Sequence, residues 1–99
     1  MTTTKDYYQE AISQLEVYSM NEPDPTKRAA ANQKIKEYRF NIIDRTFDEL
    51  VEGTKLLNTL MEDLQQVIAN ASNVPTISGT IGRLTGLVTS VSNKLNGGA

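Results

Sequence analysis

No cysteine and no histidine occur anywhere in the 99 residues. The first absence excludes a disulfide framework, a thiol nucleophile and a Cys-rich zinc site. The second removes the usual neutral-pH general base and the commonest transition-metal ligand. A Ca²⁺ or Mg²⁺ site built from carboxylates alone is still open to such a chain. No stretch, however, has the alternating Asp/Asn and central Gly of an EF-hand loop. No catalytic, cofactor-binding or metal-ligating residue emerges, and the chain is expected not to be an enzyme.

An excess of charge of one sign is also missing. Ten Lys and Arg stand against twelve Asp and Glu, for a net charge of −2. The basic residues are scattered, with only Lys27 and Arg28 adjacent. Counterion release on nucleic acid needs clustered cations, so nucleic acid is not an expected partner. Nor does a solid apolar block follow the polar start Met1 to Asp6, so no cleavable signal peptide is read. That implies synthesis in the cytoplasm and leaves open export by a route that needs no cleaved signal. With 38% hydrophobic and 22% charged residues, the composition suits one thin globular domain and no membrane span.

What is present is helical periodicity. Thr4 is a candidate N-cap with Asp6 in the first turn. Tyr8, Ala11, Ile12, Leu15 and Tyr18 then recur at spacings of three and four, one face of a helix over about 5–20. Pro23, Asp24 and Pro25 form a turn in which Asp24 caps and Pro25 opens the next helix. From Pro25 to Ser72 no proline intervenes. The stripe Phe40, Ile43, Phe47, Leu50, Leu57, Met61, Leu64, Ile68 and Ala71 keeps its phase across Gly53. It predicts a continuous helix over 25–72, about 70 Å long. The alternative ends one helix at Gly53 as a left-handed cap and opens another at Thr54. After Pro75, the residues Ile77, Ile81, Leu84, Val88, Val91 and Leu95 predict a helix over about 76–96. Its Thr, Val and Ile content leaves a strand open.

The expected architecture is a single all-α domain over residues 1–99. A short helix, a long central helix and a C-terminal helix form an extended antiparallel hairpin or three-helix arrangement. The first and third helices are too short to cover the middle of a 70 Å helix. Ile43, Phe47, Leu50 and Val51 would then stay bare, each forgoing about 1.5–3 kcal/mol of burial. Leu56 and Leu60, beside Leu57 and Met61, make the long helix apolar on two sides. In the third helix, Gly82 and Gly86 lie four apart, with Ser78 and Ser90 extending the row, so another backbone can approach closely. The candidate interface is therefore Ile43, Phe47, Leu50, Val51, Leu56, Leu60, Ile77, Ile81, Gly82, Leu84, Gly86, Val88 and Val91. A solvated face is the plainer reading of the small-residue row, and a membrane-inserting helix is disfavoured by its few basic residues.

Lesser features have plain explanations. Ser78 to Arg83 suggest a phosphate site at a helix N-terminus, but the spacing is not that of a phosphate-binding loop. Asp44, Asp48, Glu49 and Glu52 form an acidic group whose default is a solvated face. Tyr7, Tyr8, Tyr18 and Tyr38 flank the Pro23–Pro25 turn and suit hairpin packing with their hydroxyls in water.

Pro23-Asp24-Pro25, Ala29-Ala30 and Lys34-Ile35-Lys36-Glu37-Tyr38 resemble the turn and second-helix start of type III secretion needle and inner-rod subunits. The resemblance covers residues 23–38. It implies an exported subunit that polymerises helically, with Asp24, Pro25, Lys34, Glu37 and Tyr38 as turn and packing residues. The chain departs from the family at Arg39-Phe40-Asn41-Ile42 and in running on through a further helix. The leading expectation is thus a homo-oligomeric, non-enzymatic structural or assembly subunit, in a filament or ring. The alternative is a small cytoplasmic adaptor or inhibitor, of phage or plasmid accessory type, that binds a host protein.

Overall fold

The computed structural model describes residues 3–44 and 52–97. They form four α-helices: α1 (Thr4–Asn21), α2 (Pro25–Asp44), α3 (Glu52–Asn70) and α4 (Pro75–Leu95). The domain is all-α, as expected, but the three-helix arrangement with a long central helix is corrected to a four-helix bundle. Its longest dimension is 38 Å, about half of what a continuous helix over 25–72 would span. The physical reason is burial. Folding α3 back beside α4 and α1 takes Leu57, Leu60 and Leu64 out of water, which a lone extended helix cannot do. Gly53 lies inside the first turn of α3, so it is not the left-handed cap of the alternative reading either.

Local chemistry fixes the other boundaries. α1 is capped one residue earlier than predicted, by Thr3. Its hydroxyl accepts from the Asp6 N–H at 3.1 Å, while Asp6 accepts from the Thr3 N–H at 3.0 Å. This reciprocal capping box satisfies two donors that the first turn would leave unpaired. The backbone N–H of Thr3 holds the Asp6 carboxyl below its usual range. At α2, Asp24 Oδ1 accepts from the N–H groups of Thr26 and Lys27 at 2.8 and 3.3 Å, with Pro25 in the first helical position. α4 also opens on a proline, and it ends at Asn96 before Gly97, whose φ of 73° is left-handed. Thus 75–95 is helix rather than strand. Its period buries Ile77, Thr80, Leu84, Leu87 and Val91, and that stripe offsets the weak propensity of its Gly, Thr and Val.

The short turns after α1 and α3 lie at the same end of the bundle. α1 packs against α2 and α4, α4 also packs against α3, and α1 and α3 touch across the diagonal. The core is Tyr8, Ala11, Ile12, Leu15 and Tyr18 of α1 with Ala31, Ile35 and Tyr38 of α2, Leu57, Leu60 and Leu64 of α3, and the α4 stripe. The α2–α3 side is closed only sparsely, and no contact joins α2 to α4 among the described residues. Across that sparse side the links are polar. Lys34 Nζ and the Tyr38 hydroxyl both donate to Asp63, at 3.2 and 2.8 Å.

Candidate interaction surfaces

The predicted interface residues fall into three groups. Leu60, Ile77, Leu84 and Val91 are buried in the core of the single chain, with Leu56, Ile81 and Val88 packed partly against it. Gly82 and Gly86 are exposed. Ile43 belongs to α2, but its side chain, together with Phe47, Leu50 and Val51, lies outside the described residues. The acidic group Asp44, Asp48, Glu49 and Glu52 falls outside the described side chains in the same way.

Two of the solvent-facing helix faces carry residues of unusual type for their position. On α4, Gly79, Gly82 and Gly86 form one row, prolonged by Ser90 and Asn93, all exposed. A β-carbon at any of the three glycines would meet nothing within 4 Å. Nothing among the described residues therefore requires glycine there. On α2, Phe40 is 61% exposed and borders a groove of about 450 Å³ lined by Gln33, Lys36, Glu37 and Asn41. The apolar stripe alone would place Phe40 on the core side. The core face of α2 is instead set by Ala31, Ile35 and Tyr38, which turns Phe40 outward. Met20, 84% exposed, projects from the end of α1.

One polar centre has no counterpart among the sequence motifs. Glu22, in the turn after α1, is only 2% exposed. Its Oε1 accepts from the Tyr18 hydroxyl at 2.8 Å and the Ser72 N–H at 2.9 Å. Its Oε2 accepts from the Asp24 N–H at 2.9 Å and the Ser72 hydroxyl at 2.6 Å. Burial pushes this carboxyl up, but the donors of Ser72, Asp24 and Tyr18 outweigh it and hold the pKa at about 2. The carboxylate thus ties the α1–α2 turn to the α3–α4 turn. No local pattern betrays it, because its main partner is 50 residues away.

The tyrosines do pack the hairpin, but three of their hydroxyls are not in water. Tyr8 and Tyr38 meet edge to face, with ring centroids 5.0 Å apart. The Tyr8 hydroxyl donates to the Leu56 carbonyl at 2.7 Å, Tyr18 to Glu22 and Tyr38 to Asp63. Burial, followed by the neighbouring carboxylate, holds the Tyr18 and Tyr38 hydroxyls well above the ordinary tyrosine range. Tyr7, half-buried, lines a groove with Asp6, Glu10 and Arg83.

Ser78 to Arg83 lie within α4 rather than in a loop, and the Ser78 hydroxyl donates to the Pro75 carbonyl at 3.1 Å. Helical backbone N–H groups past the first turn are engaged inside the helix, which leaves few donors for a phosphate there. Among the described residues, no helix is long and apolar enough to cross a membrane. No family model, curated protein or solved structure matches the chain.

Proposed function

We propose that the chain is a non-enzymatic structural or assembly subunit that self-associates through helix faces, with the outer face of α4 as a principal contact. The row Gly79, Gly82 and Gly86 carries this reading. Each interior glycine weakens a helix by about 1 kcal/mol relative to alanine. Among the described residues nothing repays that loss, because a β-carbon at each would stand in open space. A second backbone lying along α4 would need the β-carbons absent, as small-residue helix contacts do. Arg83 and Lys94 are the only charges on α4, so little charged surface would have to be desolvated.

Light scattering of the purified protein across a concentration range tests the reading. The wild-type mass should rise with concentration. Gly86→Leu should hold the protein at a lower mass. Gly86→Ala should raise the thermal midpoint of the dilute protein and yet weaken association, a pair of effects that a purely solvated face does not produce. A wild-type monomer at every concentration would remove the proposal and favour a small adaptor that docks on another protein.

A further inference from the structure

Among the described residues Glu22 is the only charged side chain that is buried, and neither ion pair there includes it. A buried charge is tolerated only while hydrogen bonds replace its hydration, and here neutral donors do so. Two are backbone N–H groups, of Asp24 and Ser72, and two are hydroxyls, of Tyr18 and Ser72. The titratable groups that face it are few. α1 supplies Tyr18, the turn supplies Asp24, and α2 supplies Lys27, whose Nζ lies 3.5 Å from Ser72 Oγ. Asp24 spends its own carboxylate on the N–H groups of Thr26 and Lys27. Residues 64–82, from α3 through the second turn into α4, contain no ionisable side chain.

Protonation changes what these donors meet. A neutral carboxyl carries a proton of its own, and a backbone N–H cannot turn round to accept it. The hydrogen bonds that remain lose their charge assistance, about half of their strength. Little else holds this end of the bundle. Of residues 21–25 only Glu22 is buried, and of residues 71–75 none is. The apolar core begins beyond them, at Tyr18 and Ile77. A region with few buried apolar contacts opens at a lower free energy than the whole fold. We propose that Glu22 is an acid-operated clasp between the two turns: when its carboxylate takes up a proton, the α3–α4 turn parts from the α1–α2 turn while the four helices stay folded. The clasp belongs to the single chain and is independent of the self-association reading.

Hydrogen exchange followed by NMR at single amides tests the clasp, because the Ser72 N–H crosses from one turn to the other. One proton taken up on opening sets the slope. After correction for the intrinsic rate, the opening constant at Ser72 should rise about tenfold for each unit of pH between 4.5 and about 2. At about pH 3 the Leu15 and Leu84 amides, inside α1 and α4, should stay at least about 100-fold better protected than Ser72. In Glu22→Gln the Ser72 amide should be poorly protected at every pH, without that slope. Asp24→Asn keeps a side-chain oxygen for the α2 cap and should retain the wild-type slope. Unchanged protection of Ser72 through this window would overturn the proposal. So would equal exchange at Ser72, Leu15 and Leu84, since the whole fold would then be opening. A slope that survives Glu22→Gln, or one that vanishes in Asp24→Asn, would assign the proton to another group and refute the clasp. The wild-type and Asp24→Asn profiles decide the matter even where Glu22→Gln does not fold.

Discussion

α1 and α2 lie side by side and are almost equally long, at 18 and 20 residues, yet they hold the molecule together to very different degrees. α1 buries seven residues and touches all three other helices. α2 buries Ala31, Ile35 and Tyr38 among its described side chains, leans chiefly on α1, and reaches α3 largely through Asp63. The difference teaches that position in the bundle decides burial more than the strength of a helix's own pattern. A helix with neighbours on several sides spends its apolar residues on the core. A helix at a sparsely closed side keeps a free face, and here that face carries Phe40.

The contrast can be broken at three points. The largest effect belongs to Leu15→Ala in α1. Leu15 is fully buried, so the cavity should cost about 2–5 kcal/mol, read from the urea midpoint. A loss under about 1 kcal/mol would mean that α1 is not the centre of the core.

Glu22→Gln comes next, because an amide cannot accept all four hydrogen bonds. Buried donors left unpaired cost about 1–3 kcal/mol. The pH dependence sharpens the test. The folded pKa of about 2 lies below the ordinary 4.5, so the carboxylate's contribution is complete above 4.5. It is lost as the pH falls from 4.5 towards about 2. The wild type should lose stability through that window more steeply than Glu22→Gln, and parallel acid limbs would show that the carboxylate is not the tie between the turns.

The smallest effect is expected at Phe40→Ser on α2. In dilute protein its thermal midpoint should match the wild type, with a change within about 0.5 kcal/mol. A loss comparable to that of Leu15→Ala would place Phe40 in the core and erase the contrast.

Much of the fold was legible because short-range rules govern it. The five α1 positions Tyr8, Ala11, Ile12, Leu15 and Tyr18 are all buried, and Asp24 with Pro25 opens α2 through the hydrogen bonds that the residue types predict. The end of α2 was not legible. The stripe from Phe40 to Ala71 jumps from Leu50 to Leu57 with no stripe position between them, and two separate helices can share a phase as readily as one. Misplaced phase also hid Phe40, because the core side of α2 is set by Ala31 and Ile35 upstream of that stripe. Of the candidate interface, sequence pattern found the apolar stripe of α4 but could not tell that Ile77, Leu84 and Val91 are consumed by the chain's own core. Among the described side chains of that group, only Gly82 and Gly86 are exposed. Glu22 was invisible for a different reason: a carboxylate before Pro-Asp-Pro reads as a turn residue until Ser72 is brought beside it.

The lack of any contact between α2 and α4 among the described residues has a consequence for how the protein can change. Substitutions on their outer, exposed faces lie on helices that do not touch each other, so their free energies should add to within about 0.3–0.5 kcal/mol. A double-mutant cycle between Phe40 and Gly86 should therefore close with no coupling term in the folded monomer. Either surface can then accumulate substitutions, by drift or by engineering, without compensating changes on the other.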